Sequence, residues 1–419
     1  MDSTIINSLI ENKKFLDNCE LLYGKGNEKY QAKRYKNLYQ IHSKTYGEGG
    51  VFYSSPGRIE VCGNHTDHNN GKVLCASISV DTLACVTPQE GKITIASIGY
   101  PVVDVDISDL NVHKDEYGKS EGLVRGVCAY YVKNGYKIGG FAASTTSDVF
   151  KGAGVSSSAS FEVLVAEILN QMFNNGQIDA ITKAKAAHLA ESEYFGKPCG
   201  LLDQCAIALG GVSFIDFKST KNPKVQSIKW PFDDLAIVLT NTGGDHCNLT
   251  GEYAAIRTEM ENVAKFFNVT KLRKVKEKQF YDSLTTLRTV ASDRAVLRAI
   301  HYFDENARVD TAAKALKNSK KKRFLEMINA SGESSLTLLQ NCYPSGAVSQ
   351  PILLGLTLSK KNNVVKACRV HGGGFAGTII AYTDKNLVDE YKKEFDIVFG
   401  EKNVFIIGVR NVGTCKVDI

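Results

Sequence analysis

Between Gly57 and Gly71 the chain reads GRIEVCGNHTDHNNG, and the apolar run VLCASI follows after Lys72. Arg58, Asn64, His65, Asp67 and His68 crowd this stretch. A guanidinium, an amide, two imidazoles and a carboxylate supply donors and acceptors in many combinations. Such groups beside a buried strand suit a site that grips a small molecule rich in hydroxyls; a plain polar loop is the simpler alternative. Further on, KGAGVSSSAS opens a helix. A helix N-terminus carries unpaired N–H groups and a partial positive charge, so it attracts phosphate. Gly152 and Gly154 let the backbone approach an anion closely. Ser156, Ser157 and Ser158 can cap the helix, bind a phosphate oxygen or reach a metal ion. The loop is not a Walker A sequence, because no Gly-Lys-Ser/Thr follows the expected gap. Glu191 and Asp203 lie downstream. Phosphoryl transfer needs a cation between phosphates, for which a carboxylate with a serine hydroxyl is a common magnesium grip. It also needs a carboxylate beside the attacking hydroxyl. Glu191 suits the first task and Asp203 the second. Taken singly, each also reads as an ordinary helix-surface or capping acid.

These residues need elements to hold them. Residues 1–48 read as helical and polar, and 51–62 and 72–87 as strands. TPQEGKITIA, with a Gly-containing turn and alternating Ile93 and Ile95, predicts a hairpin. Residues 120–134 have helical spacing, and FAASTTS (141–147) reads as a strand. Phe161, Leu164, Val165, Ile168, Leu169, Met172 and Phe173 recur at i, i+3, i+4, i+7, which predicts an amphipathic helix after the Gly/Ser loop. A second helix is expected over 180–195, then strands at 211–217 and 235–241. Residues 252–342 are mainly helical, with β structure returning at 364–370, 378–382 and 403–409. The order argues for an α+β fold rather than a doubly wound parallel sheet.

At 419 residues the chain exceeds one ordinary core, so two domains are expected, divided near the polar STKNPK. Hydrophobic content of 43% is typical of a soluble protein. No apolar run approaches the roughly 20 residues that span a bilayer, and MDSTIINSLIENKKFL lacks the order of a secretion signal. A cytoplasmic enzyme, without membrane or nucleic-acid partners and monomeric, is the expectation. The formal charge of +6 suits an anionic ligand but is no nucleic-acid footprint. KLRKVKEK (271–278) and SKKKRF (319–324) read as solvated helix faces. The eleven cysteines form no C-x-x-C pair, which points to reduced thiols. Trp230 reads as packing, and Asp245-His246 as a polar loop.

Three motifs occur in order: SPGRIEVCGNHTDHNNGKVL, KGAGVSSSAS and VHGGGFAGT. Together they closely resemble the GHMP small-molecule kinases and, within them, the galactokinases. PCGLLDQ and GEYAAIR resemble two further galactokinase segments, so the resemblance covers nearly the whole chain. It implies a two-domain α+β fold, with an N-terminal mixed-sheet domain (1–225), a C-terminal ferredoxin-like domain (226–419) and the active site between them. It implies ATP and Mg2+ as cofactors and a small sugar as substrate, phosphorylated at its C1 hydroxyl. By the same resemblance, Asp203 is the carboxylate beside that hydroxyl and Arg58 stabilises the transferring phosphate. Ser158 and Glu191 hold magnesium. Gly152, Ala153, Gly154, Val155, Ser156, Ser157 and Ser158 form the ATP phosphate loop. Asn64, His65, Asp67 and Tyr253 contact the sugar, and Gly372 to Gly374 shape the site from the C-terminal side.

The chain departs from the galactokinase pattern in five places. Asn64 stands where Glu is usual, His68 where Tyr is, Glu60 where Asn is, His371 where Thr is and Ala376 where Gly is. An amide donates as well as accepts, and it removes a charge that would repel a carboxylate at C6. Galacturonate is therefore a rival substrate, with a protonated His68 adding positive charge; the simpler alternative is drift within galactokinases, in which Asn64 still hydrogen-bonds a hydroxyl and Glu60, four residues earlier, supplies a compensating carboxylate. A metal site from His65, Asp67 and His68 would lack a further ligand nearby in sequence. A non-catalytic sugar sensor of the same family is the remaining alternative; such proteins tend to have a damaged phosphate loop.

Overall fold

The computed structural model describes residues 6, 8–149, 154–243, 249–375 and 377–419. Two helices, α1 (Lys13–Tyr23) and α2 (Glu28–Tyr46), lead into β1 (Val51–Cys62) and the long β2 (Lys72–Pro88). β3 (Lys92–Ser97), β4 (Val103–Asp106), α3 (Ser120–Lys133), β5 (Phe141–Ser147), α4 (Ser157–Phe173), α5 (Ala180–Leu189), α6 (Leu202–Leu209), β6 (Val212–Asp216) and β7 (Lys224–Ile228) follow. Most of these strands join one sheet, in the order β12-β1-β2-β5-β3-β4, with β6 and β7 continuing from β2. β2 pairs with β1 along one edge and serves two partners along the other: Lys72–Ala76 pairs with β6 and Thr82–Pro88 with β5. β1 is buried along nearly its whole length, and its register slips between Pro56 and Arg58 and again between Glu60 and Cys62. Such irregularities re-aim side chains, and here they flank Arg58.

The second half runs β8 (Leu235–Asn241), α7 (Thr250–Phe266), two short helices α8 (Glu277–Asp282) and α9 (Leu284–Val290), α10 (Asp293–Lys317), α11 (Lys321–Ser334) and α12 (Pro351–Lys361). It closes with β9 (Val365–Val370), β10 (Thr378–Asp384), α13 (Val388–Phe399), β11 (Val404–Ile407) and β12 (Cys415–Val417). Strands β8 to β11 form an antiparallel sheet ordered β11-β8-β10-β9. With the intervening helices this is the β-α-β-β-α-β arrangement of ferredoxin-like folds, and the chain is α+β as the sequence predicts.

Three expectations change. β3 pairs with β4 antiparallel and with β5 in parallel, so the turn after Pro88 closes no hairpin; the pairing is decided by which buried strand lies alongside. α4 is not amphipathic but central: Ala159, Ser160 and Glu162–Asn170 are all buried, and Glu167 is neutralised internally by Lys183 at 2.5 Å. KLRKVKEK is a solvated helix face only at its end, where Glu277 and Lys278 are exposed on α8; Leu272–Lys274 forms a short 3-10 turn, Lys271 donates to the His68 carbonyl at 2.7 Å and Arg273 pairs with Asp216. Trp230 packs against Phe232, Phe324 and Tyr382. The expected boundary at 225/226 falls inside β7, and β12 returns to hydrogen-bond β1. One apolar core joins the two sheets, with Ile59, Leu74 and Val212 on one side and Ile237, Ile380 and Tyr382 on the other. Among the described residues no helix is long and apolar enough to cross a membrane.

Candidate active site

Arg58, on β1, meets Asp203, in the first turn of α6. Arg58 Nε donates to Asp203 Oδ1 at 2.6 Å and its terminal nitrogen donates to Oδ2 at 2.7 Å. This bidentate fork is among the strongest side-chain pairings. The same guanidinium donates to the Gly154 carbonyl, and the Ser156 hydroxyl donates to Asp203 Oδ2. Burial alone would raise the Asp203 carboxyl, but Arg58 and Ser156 outweigh it and hold it below the usual carboxylate range. Ser156 has φ 59° and ψ 62°, a left-handed conformation that costs a non-glycine residue about 1–3 kcal/mol. His65 (φ 56°) and Phe375 (φ 55°) share that region. With Asn70 (φ 60°) beside His65 in the first motif, each of the three motifs holds at least one such residue, and such strain is characteristically stored at functional sites.

Asp67 reaches the same place from the loop after β1. Its carboxylate accepts the His68 N–H at 2.8 Å and the N–H of Leu202, at the start of α6. A Cβ on Gly200 would lie 1.7 Å from Asp67 Oδ2, so only glycine admits this approach. Burial, then the neighbouring Asp203 charge, lift the Asp67 carboxyl to about 6. The imidazoles form a directed chain: Asn69 donates to His68 Nδ1 (3.0 Å), His68 Nε2 to His65 Nδ1 (3.3 Å), and His65 Nε2 to the Gly373 carbonyl (2.9 Å). Burial pushes His65 down to about 4 and His68 well below its ordinary value. His68 therefore brings no positive charge at neutral pH. Among the described residues no group of three or more His, Cys, Asp or Glu side chains is arranged to hold a metal ion, so His65, Asp67 and His68 form no such site. Tyr253, on α7, donates to the Gly374 carbonyl at 2.8 Å and meets Phe375 edge-on.

Asn64 is placed differently from the sugar contact expected of it. It is fully buried. Its amide donates to Glu60 Oε1 (2.9 Å) and the Gly372 carbonyl (2.6 Å), while its oxygen accepts from Asn341 (2.8 Å). With its hydrogen-bonding capacity spent inside the protein, it has little left for a ligand. Glu60 is likewise committed, to Arg369 at 2.6 Å, so it supplies no compensating carboxylate to a sugar.

Ser158, in the first turn of α4, donates to Glu191 Oε1 at 3.1 Å. Glu191 sits in a single π-helical turn, Ala190–Tyr194, that interrupts the expected second helix after Leu189. Such turns recur at functional sites. Lys197 donates to Glu191 Oε1 (2.8 Å) and Gln204 to Oε2 (2.8 Å). Next to this pair Glu162 is buried with both oxygens unpartnered; burial and the Glu191 charge push its carboxyl well above the usual range. Hard oxygen donors, an ammonium already attracted to them and an unpartnered acid alongside all fit a divalent cation such as Mg2+. Gly152, Ala153, Asp245, His246 and Ala376 lie outside the described residues.

Sequence reasoning missed the residues that hold the 63–72 loop from beneath. From α10, Glu305 accepts the Gly63 N–H at 2.9 Å and His301 Nε2 donates to the Asn64 carbonyl at 2.9 Å. Tyr302 donates to the Asn69 carbonyl at 3.0 Å, and Asn306 accepts the Lys72 N–H at 2.7 Å. These partners lie more than 200 positions away, beyond any local signal. Only the helical spacing of 301, 302, 305 and 306 hinted at a shared face.

Known proteins are similar to this chain in sequence and fold. Residues 40–88 match the galactokinase galactose-binding signature and residues 122–211 the GHMP kinases N-terminal domain. The chain is 28% identical to a galactokinase of Clostridium tetani over 385 residues, covering 89% of this chain and 95% of that one. It is also 28% identical to a galactokinase of Limosilactobacillus reuteri, covering 84% and 90% respectively. The structure of Lactococcus lactis galactokinase complexed with galactose superposes with a TM-score of 0.79 at 25% identity, covering 91% of this chain and 99% of that one.

Proposed function

The chain belongs to the GHMP small-molecule kinases, and from that premise we propose that it is a galactokinase, transferring the γ-phosphoryl group of ATP to the C1 hydroxyl of a galactose-type sugar. The observation that carries this reading is the Arg58–Asp203–Ser156 cluster, set between the α4 N-terminus and the turn that presents Asp67. ATP lies with its phosphates on Gly154 to Ser158, where N–H groups and the helix field favour negative charge. The sugar lies against Asp67, His65 and the Gly373–Gly374 backbone braced by Tyr253. The Ser156 hydroxyl already makes with Asp203 Oδ2 the kind of contact that a C1 hydroxyl would take up. A carboxylate held below its usual range is a weak base. Asp203 therefore orients the hydroxyl, and takes its proton only as the new P–O bond forms and the bond to ADP breaks. Arg58 offsets charge spreading over the phosphoryl oxygens. Ser158 and Glu191 would hold Mg2+, which would supply positive charge to offset that of the phosphates.

Galactose is favoured over galacturonate because the two residues that would have favoured a C6 carboxylate do not serve it: Asn64 is buried and bonded internally, and His68 is uncharged. Catalysis is favoured over sugar sensing because Arg58, Ser158, Glu191 and Asp203 are all present and in contact in pairs. Coupled ADP release with Mg-ATP, comparing galactose, galacturonate, glucose and N-acetylgalactosamine, tests the reading. Turnover with galactose that falls at least about 100-fold in Asp203→Asn is expected from loss of a positioned acid–base group. Preference for galacturonate would overturn the substrate. Binding of sugar and ATP without turnover would make the protein a sensor, and full activity of Asp203→Asn would overturn the mechanism.

A further inference from the structure

His371 follows β9 directly and is 2% exposed. Its Nε2 lies 3.1 Å from the backbone N–H of Glu60 and accepts it. A neutral imidazole that accepts at Nε2 carries its proton on Nδ1. Burial, with Arg58 and Arg369 nearby, holds the ring neutral by driving its pKa well below the ordinary value. The Nδ1–H is thus a fixed donor, and among the described residues it has no hydrogen-bond partner. Buried donors are almost always satisfied, so an orphan asks for an acceptor.

The place where it points narrows the acceptor. A Cβ on Gly154 (φ +66°) would stand 3.3 Å from His371 Nδ1 and 3.6 Å from Thr378 Oγ1. The space left by the missing side chain is therefore bounded by one N–H donor and one hydroxyl. The Gly154 carbonyl is meanwhile turned to Arg58, and the next residues run into the N-terminus of α4. Donors and partial positive charge converge there, and among the described residues no carboxylate faces Nδ1.

We propose that His371 donates its Nδ1–H to a phosphate oxygen of the bound nucleotide at Gly154, as a phosphate-binding residue contributed by the C-terminal sheet. This rests on reading Gly154–Ser158 as a nucleotide phosphate loop.

Two amide substitutions separate the ring nitrogens. The His371→Gln amide oxygen can reach the Nε2 position and keep the Glu60 contact while removing the Nδ1 donor. The His371→Asn amide nitrogen falls near Nδ1, restoring a donor there while losing the Glu60 contact. The Kd of Mg-ATP by titration calorimetry and kcat/KM for ATP are measured in both, with the sugar KM as internal control. His371→Gln is expected to lose about 10- to 100-fold in Mg-ATP affinity or kcat/KM, the worth of one hydrogen bond to a charged group. His371→Asn is expected to lose several-fold less, and the sugar KM to stay within about threefold in both. Equal losses, no loss, or a greater loss in His371→Asn overturns the proposal and leaves His371 as a support for Glu60. Should His371→Gln not fold, 15N spectra of wild-type histidine decide: Nδ1–H must shift on Mg-ATP addition, and an unmoved resonance overturns it. Absence of wild-type turnover would count against the kinase reading alone, since calorimetry still reports the contact; absence of Mg-ATP binding overturns both.

Discussion

Asp67 and Asp203 are carboxylates of one site held in opposite regimes. Arg58 keeps Asp203 ionised, whereas burial and the Asp203 charge lift Asp67 to about 6. Two acids pushed apart in this way are characteristic of a division of labour. Sugar hydroxyls donate best to an ionised Asp67, so kcat/KM for the sugar should fall about tenfold per unit as pH drops below 6. His65, at about 4, and Asp203 add no inflection between pH 5 and 8. A pH profile flat to pH 5 would remove Asp67 from sugar binding. The stability sign is the reverse of a salt-bridged acid: above pH 6 the folded protein bears an ionised, poorly compensated Asp67, and that cost fades as pH falls through 6 towards its ordinary value of 3.8. Asp67→Asn should therefore raise the melting temperature at pH 8 while depressing sugar turnover. Asn64 makes a contrasting case. Asn64→Ala leaves Glu60 and Asn341 with lost partners, at about 1–3 kcal/mol for each buried group. A lower melting temperature with an unchanged galactose-to-galacturonate ratio is expected; a changed ratio would return Asn64 to the sugar. The types and order of Arg58, Asp67, Ser158 and Asp203 were legible because each belongs to a compact motif; Glu191 belongs to none and was placed only by the family resemblance and by the chemistry that phosphoryl transfer needs. The inward turn of Asn64 was not legible, since its partners Gly372 and Asn341 are supplied from about 300 positions away.

At the scale of elements, the 63–72 loop is held in place by α10. Glu305 accepts from Gly63, Ser331 and Arg308 at 2.6 to 2.9 Å, and three neighbours on the same helix fasten the rest of the loop. Burial alone would raise Glu305, but His301, Arg308 and Arg369 hold it far below the usual carboxylate range. A depressed pKa contributes stability that is present above the ordinary value of 4.5 and lost as pH falls from there towards the folded value. Glu305→Gln should thus lower the melting temperature at pH 7 and converge on the wild type in acid. Kinetically it should raise the sugar KM about tenfold, through loosened positioning, with the ATP KM within about twofold. A gap in melting temperature that does not narrow below pH 4.5, or an equal rise in both KM values, would contradict this placement. Most strands and helices were legible from periodicity, because alternating or 3.6-residue apolar patterns report burial on one face. The failures came where burial is two-sided or pairing is non-local. α4 hides Glu162, Glu167 and Asn170 as well as its apolar residues. β3 chooses β5 over the nearer β2. The basic run at 271–278 is drawn down onto the loop by Asn69 and His68.

At the scale of the molecule, the two sheets share one apolar core, and the two halves of the chain are tied together by strand pairing. The core that contains Ile59 and Leu74 also contains Ile380 and Tyr382. The C-terminal strand β12 pairs with β1 at Phe52, Tyr53 and Ser54. Asp81, fully buried on β2, takes Arg34 from α2 at 2.5 Å and Tyr23 from α1 at 2.8 Å, while Arg410 from the returning chain donates to Ser54 beside it at 2.7 Å. Ending the chain at residue 225 would remove Arg410, β12 and half the shared core together. Losing one partner of a buried ion pair costs about 3–5 kcal/mol, a large share of the roughly 5–15 kcal/mol that holds a folded protein together. Fragment 1–225 should therefore lack the sharp near-ultraviolet dichroism of packed aromatic residues. The full chain should melt in one calorimetric transition whose van't Hoff and calorimetric enthalpies agree. Two resolved transitions, or a fragment 1–225 that melts cooperatively alone, would show that the shared core does not couple the halves. The Arg58–His371 cluster would then be assembled by docking rather than by folding, and activity should decline before the last transition begins.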